Sequence, residues 1–325
     1  MNNARPQNFN QFIGNKGVKE QLKISVEACK KNNQVFGHTL FYGNAGCGKT
    51  TLSNILANEL GYKIFSIVGS SIKNEADLFI LLVKIGEASK ERPVILFIDE
   101  IHSIQGRQEL PQTVWYPILE DFIFYYNLAD TSVTIGEWNC RITGTEGSIP
   151  PFTVIGATTD PADLDDPLRD RFMHQLFLKP YSEEDLSQIV LNYCQRVNIK
   201  IEEGATLEIG KRARFTPRIA LSYLKNCFDM ATCRNGGEIT QGVVAEQMQL
   251  MGIDEIGLKE EDIKVLKALK GSEKGLGIAS LAGTVGIKKE IITGMIEPFL
   301  KQKGLMATTT RRIITEKGLK YLEEK

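Results

Sequence analysis

The sequence predicts an α/β fold in three parts: a parallel sheet flanked by helices, then an all-helical segment, then a small helical domain closed by a β-hairpin. Three observations predict it. Gly43-Asn44-Ala45-Gly46-Cys47-Gly48-Lys49-Thr50 carries the spacing G-x-x-x-x-G-K-[ST] between a β-favouring run and a helical run. Pro93-Val94-Ile95-Leu96-Phe97-Ile98-Asp99-Glu100 is a near-continuous apolar run ending in two carboxylates, as in a strand buried on both faces. Beyond Lys179-Pro180 the alternation of strands and helices stops. The domain boundaries expected from this are 1–180, 181–253 and 254–325.

Bulk properties narrow the class. A chain of 325 residues, 42% apolar and 24% charged, is an ordinary globular composition with length for two or three domains. No run approaches the roughly 18 apolar residues of a membrane helix, and Met1–Pro6 opens no apolar signal region. The six cysteines (29, 47, 140, 194, 227 and 233) show neither C-x-x-C nor metal spacing; Cys227 and Cys233, six apart on a helical stretch, are expected to be core thiols and not a disulfide, and a cytoplasmic location with no membrane partner is expected. The net charge of −1 excludes a uniformly basic nucleic-acid coat. Charge is uneven, however: residues 255–325 hold 14 Lys/Arg against 10 Asp/Glu, an excess compatible with a DNA-binding domain.

In chain order, a helix is expected from about Val18 to Lys31, either shaping a base pocket or packing on the sheet. His38–Tyr42 is the first strand, and Thr51–Leu60, closed by Gly61, the helix after the glycine loop. Glycines let successive N–H groups turn inward around a phosphate chain, and the helix N-terminus adds its positive dipole end. Lys49 would lie near the β- and γ-phosphates of ATP, and Thr50 would offer its hydroxyl to Mg²⁺. Ile64–Val68 is the second strand and Glu75–Ala88 a helix. Asp99 then supports the Mg²⁺ hydration shell and Glu100 orients the attacking water. His102 is expected to be structural, because nothing nearby in sequence completes a dyad.

Residues 103–130 read as a helix carrying Trp115, Tyr116, Ile118, Leu119 and Phe122, followed by an aromatic stretch. Thr131–Ile135 and Cys140–Thr143 read as a hairpin with Trp138 near its tip, either a contact surface or folded back. Pro151–Thr159 is a buried strand whose terminal hydroxyls can sense a γ-phosphate. Arg169 and Arg171 on the following turn fit either an arginine finger or an ion-pair cluster with Asp165, Asp166 and Asp170. Ser182 caps the next helix, with Asp185 three residues on. Pro217 starts a later helix, and Arg218 projects from its N-terminus, an unfavourable place for a cation unless it answers to an anion.

From Asp254 onward, helices at Glu260–Leu269, Ile278–Val285 and Lys289–Leu300 precede two β-like runs, Leu305–Thr308 and Ile313–Thr315. That is a winged-helix pattern, with Lys288 and Lys289 leading the recognition helix and Arg311 and Arg312 at the wing tip. DNA is the expected partner, although winged helices also bind proteins.

Taken together, these segments resemble the AAA+ ATPases and, within them, the RuvB family of Holliday junction branch-migration motors. The resemblance runs from Arg5-Pro6 and Phe12-Ile13-Gly14 through the glycine loop to Phe97-Ile98-Asp99-Glu100-Ile101-His102. It continues with Tyr116-Pro117, Glu120-Asp121, Pro150–Thr159 and Pro167-Leu168-Arg169-Asp170-Arg171-Phe172, and ends with Thr216-Pro217-Arg218-Ile219-Ala220 and Glu297-Pro298-Phe299-Leu300. It implies nucleotide contacts from Arg5, Ile13, Gly43, Gly46, Cys47, Gly48, Lys49, Thr50, Thr51, Tyr181, Pro217 and Arg218. It also implies a sensor at Thr158 or Thr159, a trans arginine finger at Arg171, a lid arginine at Arg218, and a hexameric ring on duplex or four-way junction DNA.

Two segments depart from the pattern. The hairpin that docks the junction-binding partner RuvA in the family is lengthened here, about Tyr125 to Ile149, and rewritten around Trp138. The wing, usually Thr-Pro-Arg-Gly-Arg, reads Thr308-Thr309-Thr310-Arg311-Arg312. The expected activity is an ATP-driven DNA motor. The alternative is a nucleotide-switched DNA-binding or loading module without processive translocation.

Overall fold

The computed structural model describes residues 5–104, 112–125, 132–135, 138–141, 146–272 and 274–324. The chain divides into two compact units, Met1–Tyr181 and Ser182–Lys325.

The first unit opens with α1 (Lys16–Asn32) and β1 (Thr39–Tyr42), followed by α2 (Lys49–Leu60), β2 (Lys63–Val68), α3 (Glu75–Ser89) and β3 (Val94–Asp99). Sequence cues explain the helix ends. Asn74 accepts the N–H of Asp77 at the start of α3, and Gly61 takes the left-handed conformation after α2. After β3 come α4 (Trp115–Glu120), β4 (Ile123–Tyr125), β5 (Ser132–Ile135), β6 (Trp138–Arg141), β7 (Glu146–Ser148), β8 (Thr153–Thr158), α5 (Asp166–Asp170) and β9 (His174–Phe177). The main sheet has the order β2-β3-β8-β1-β9, and every pair is parallel. β8 is buried along its whole length and β3 from Val94 to Ile98, as near-continuous apolar runs require.

Residues 103–130 do not form the single helix the sequence predicts. Helix α4 covers only Trp115–Glu120, and Phe122 takes a left-handed backbone, φ +56°, which no α-helix can pass through. Its ring packs edge-on against Phe152 and His38, and Ile123–Tyr125 pairs antiparallel with Glu146–Ser148 instead. The aromatic run is therefore a strand. The expected hairpin is present as β5 paired with β6, and Trp138 opens β6 opposite Ile135, the last residue of β5, at the turn end of the hairpin where the sequence places it. Residues 105–111, 126–131, 136–137 and 142–145 lie outside the described residues.

In the second unit, α6 (Glu183–Val197), α7 (Glu203–Arg212), α8 (Pro217–Arg234) and α9 (Gln241–Leu250) form the helical lid. Ser182 Oγ accepts the N–H of Asp185, so the predicted cap forms. Gly210 allows α7 to approach α6: a Cβ there would lie 2.6 Å from the Glu183 carbonyl. Cys194 and Cys227 are core thiols, pushed up by burial to about 11 and about 12, whereas Cys233, expected in the core, is exposed on the outer side of α8 and free of a disulfide.

The winged helix follows: α10 (Glu260–Lys270), α11 (Ile278–Val285), α12 (Lys289–Ile291), a π-helical turn Ile292–Ile296, α13 (Glu297–Gln302), β10 (Met306–Thr308), β11 (Arg312–Ile314) and α14 (Glu316–Glu323). The expected third helix is thus continuous from Lys289 to Gln302, with a π-helical turn inside it. Its core is apolar, built on Leu266, Leu281, Ile292, Phe299 and Leu300. Lid and winged helix are bolted together by Arg214, whose guanidinium forks onto Asp262 at 2.6 and 3.2 Å and donates to the Met295 carbonyl at 2.9 Å. Among the described residues no helix is long and apolar enough to cross a membrane.

Candidate nucleotide site

The site lies at the carboxyl edge of the main sheet, where open α/β sheets bind ligands. Register sets the neighbours: Tyr42 is opposite Thr158, and Ile98 is opposite Gly156. The loop leaving β1, the acids ending β3 and the hydroxyl ending β8 therefore share one edge. The chain runs from β1 to the far side of the sheet and later returns to the other side of β1 as β9, so the edge is also a topological switch point.

The glycine loop is fixed from both sides. Gly43 has φ +136°, and a Cβ there would lie 2.5 Å from the Leu178 carbonyl beyond β9. Gly48 has φ +98°, and a Cβ there would lie 3.2 Å from the Phe12 ring and 3.3 Å from the Tyr181 hydroxyl. Neither position accepts a side chain, so the backbone itself lines the cradle. Tyr181, 3% exposed, donates from its hydroxyl to the Cys47 carbonyl at 3.1 Å. Lys49 is buried, and its Nζ donates to the carbonyls of Gly43 (2.6 Å) and Asn44 (3.1 Å), which places the ammonium over the loop. Thr50 and Thr51 follow, both half-buried in the first turn of α2.

The N-terminal strap packs beside this loop. Asn58 donates to Gln7, Glu59 accepts the Phe9 N–H, and Phe12 is buried under Gly48. Asn15 exchanges hydrogen bonds with the backbone of Lys179 at 2.8 and 3.3 Å. Arg5 is exposed and Ile13 half-buried on the same strap. Of the two roles open to this region, the strap residues sit by the loop, while α1 buries Leu22 and Val26 in packing.

Asp99 ends β3 and Glu100 follows with φ +50°, a left-handed conformation unusual for a side-chain-bearing residue. The turn is locked by Ser103, whose N–H and hydroxyl both donate to the Glu100 carbonyl, at 2.8 and 2.7 Å. Gly69 makes room for it, since a Cβ there would lie 2.7 Å from that carbonyl. Thr158 is 1% exposed and its hydroxyl donates to the Asp160 carbonyl at 2.9 Å, whereas Thr159 is exposed. Sequence reasoning missed the next partner: His102 Nδ1 lies 2.9 Å from the Thr158 hydroxyl. No local spacing signals it, because the two residues are joined only by the pairing of β3 with β8.

Arg171 caps the short α5 and does not join Asp165, Asp166 or Asp170. It pairs with Glu120 at 3.1 Å, donates to the Pro167 carbonyl at 2.6 Å, and stacks over the Tyr116 ring at 4.1 Å. Arg169 does form the expected local pair, with Asp166 at 2.6 Å. Pro217 and Arg218 belong to the second unit, in the first turn of α8. Arg218 is exposed.

In the winged helix, Lys288, Lys289 and Arg311 are exposed, with Arg311 in the turn between β10 and β11. Arg312 is different. Its Nε donates to Glu297 at 2.8 Å, its side chain is 14% exposed, and it opens β11. The expectation that both arginines reach from the wing tip fails for Arg312, because a nearly buried carboxylate claims it.

The loop cradle and buried ammonium fit a nucleoside triphosphate. Thr50 and Asp99 are the residues that would share a Mg²⁺ with its phosphates. Among the described residues no group of three or more His, Cys, Asp or Glu is placed to hold a metal ion.

Comparisons with known proteins agree over all three parts. Residues 4–178 match the family described as Holliday junction DNA helicase RuvB P-loop domain, residues 181–254 the RuvB AAA lid domain, and residues 255–323 the RuvB C-terminal winged helix domain. A Fervidobacterium nodosum protein named Holliday junction branch migration complex subunit RuvB is 37% identical over 321 residues, 98% of this chain and 88% of that protein. A Kosmotoga olearia protein of the same name is 36% identical, covering 98% and 89%. The solved Thermotoga maritima RuvB, described as a Holliday junction branch migration motor, superposes with a TM-score of 0.80 at 34% identity, covering 98% of each chain.

Proposed function

The chain belongs to the RuvB family of AAA+ ATPases, and on that premise we propose that it is an ATP-driven motor of Holliday junction branch migration. The observation that carries this is the register of β3, β8 and β1, which gathers the glycine loop, two carboxylates and a buried hydroxyl at one sheet edge.

Lys49 and the loop N–H groups bind the β- and γ-phosphates. Thr50 and Asp99 would hold Mg²⁺, which would neutralise charge developing on the phosphates. Glu100 orients the attacking water. Its strained φ of +50° supports a functional role, since such conformations persist where surrounding structure imposes them. Thr158 senses the γ-phosphate from the strand end. Arg171 reaches a neighbouring subunit's nucleotide, and Arg218, an exposed cation at a helix N-terminus, answers to the γ-phosphate from the lid. A trans finger requires an oligomer, here read as a hexameric ring around duplex DNA, a reading that the RuvB resemblance supports. The β5–β6 hairpin supplies an antiparallel ladder of its own, separate from the main sheet, and would dock a junction-binding partner protein.

The test is migration of a synthetic four-way junction with ATP and Mg²⁺, wild type beside Glu100→Gln and Lys49→Ala. Wild type is expected to resolve the junction, alone or with a junction-binding partner. Glu100→Gln should bind ATP without turnover, and Lys49→Ala should lose most nucleotide binding. ATP hydrolysis that DNA stimulates but that never moves a junction, with or without such a partner, would refute the motor.

A further inference from the structure

We propose that Tyr116, with Glu120, is a positioning residue for the trans arginine finger: α4 holds the Arg171 guanidinium at a fixed plane and height for the neighbouring subunit's nucleotide. The proposal rests on the finger reading of Arg171 and adds the device that makes it work.

Three contacts define the device. The guanidinium carbon lies 4.1 Å above the centroid of the Tyr116 ring, which fixes the plane of the fork. Nη2 lies 3.1 Å from Glu120 Oε1 and Nη1 lies 2.6 Å from the Pro167 carbonyl, which fixes rotation within that plane. Nη1 carries two hydrogens, so it keeps a second N–H after its bond to Pro167, and Nη2 is held by charge alone. Tyr116 and Glu120 are four residues apart and so lie on one face of α4. Trp115, Ile118 and Leu119 of the same helix are buried in the core, so the platform is anchored from below.

The chemistry needs such a hold. An arginine side chain carries much rotamer freedom, and a finger that must first be ordered loses part of its effect in the transition state. Stacking orders the fork without consuming any N–H. Glu120 orders it at the cost of some charge. Tyr116 is therefore the main support and Glu120 the stop that sets the angle. Both touch the Arg171 guanidinium itself, so their role is exerted through it.

Mixed rings separate this role from a general structural one. The acceptor is the Arg171→Ala protein, whose own site is intact but which offers no finger. The donor is the Glu100→Gln protein, which binds ATP, cannot turn it over, and offers a normal finger. Adding donor to acceptor should raise ATPase activity. A Glu100→Gln/Tyr116→Ala donor should stimulate roughly tenfold less or worse, the scale of a lost cation–π hold and freed rotamers. A Glu100→Gln/Tyr116→Phe donor, which keeps the ring face, should restore stimulation. Co-assembly is followed by energy transfer between labelled subunits, and folding by melting temperature.

A folded Tyr116→Ala donor that stimulates fully overturns the positioning role. So does one that fails to co-assemble, because Tyr116 would then serve the subunit contact. Absence of stimulation by the plain Glu100→Gln donor, in rings shown to mix, would instead sink the finger reading of Arg171 itself.

Discussion

His102 Nδ1 and the hydroxyl of Thr158 lie 2.9 Å apart, tying the turn after β3 to the last residue of β8. The Thr158 proton points at the Asp160 carbonyl, so the ring meets the hydroxyl as an N–H donor. The residue that would sense phosphate is thus held by the same turn that carries Glu100. A double-mutant cycle tests this link. His102→Ala and Thr158→Val should each lower kcat for ATP hydrolysis, and the double variant should be less impaired than the sum. A coupling of about 0.5–3 kcal/mol is the range for residues in direct contact. Strict additivity would mean that the contact is idle.

The catalytic edge of the sheet is largely legible in the sequence, and the reason is local. The loop spacing, the apolar run Val94–Ile98 and the hydroxyls closing β8 each depend on residues within a few positions of one another. What escapes the sequence depends on pairs brought together by the sheet. The partner of Arg171 is Glu120 on another helix, and only the fold chooses it over Asp166 or Asp170. Strand β9 escapes for a different reason. It is four residues long, an edge strand, and exposes Phe177, so its alternation is too brief to stand out. The helix expected over 103–130 fails because aromatic residues serve strands and helices alike, and the left-handed backbone at Phe122 has no glycine to announce it.

His38 gives the fold a pH dependence whose sign follows from its bonds. Its Nε2 lies 2.9 Å from the Leu119 carbonyl and its Nδ1 accepts the Val154 N–H at 2.9 Å, so the folded ring is neutral. Burial holds its pKa below the ordinary value, partly offset by the Leu119 carbonyl. His174 shifts the same way through burial. The unfolded chain therefore takes up these protons first as pH falls. Stability should be full above the ordinary histidine value of about 6.5 and decline as pH drops below it toward the lower folded values. Melting temperature measured down to about pH 5.5 should show this decline, and His38→Gln should flatten it in part. An unchanged profile in His38→Gln would assign the dependence elsewhere.

Arg214 and Asp262 form a buried ion pair, with side chains 12% and 2% exposed, between the lid and the winged helix. Arg214 also stacks over Phe299 at 3.9 Å and holds a left-handed backbone, φ +50°. Asp262 has a second duty, accepting the Lys259 N–H at 2.8 Å to cap α10. Removing the arginine alone leaves a buried carboxylate unpaired, so Arg214→Ala should cost about 3–5 kcal/mol in urea unfolding. Arg214→Met with Asp262→Asn keeps the cap and removes both charges, and should recover most of that loss. Equal instability in both variants would locate the cost in lost packing, not in the stranded charge.

The two wing arginines should separate in a salt titration of duplex binding. Arg311 is exposed in the turn, so it can neutralise a phosphate and release counterions. Arg312 is held by Glu297, which also accepts from Thr308 at 2.8 Å and pairs with Lys301 at 2.6 Å. Burial pushes the Glu297 carboxyl up, but hydrogen bonds from Lys301, Thr308 and Arg312 outweigh it and hold the group below its usual range. An arginine bound this way has its charge already answered. Arg311→Ala should therefore weaken DNA binding and reduce the slope of log K against log salt by about one, at little cost in melting temperature. Arg312→Ala should do the reverse, lowering the melting temperature while leaving the slope close to wild type. If Arg312→Ala instead flattened the slope, Glu297 would have to release its partner when duplex binds, and the wing would rearrange on contact with DNA.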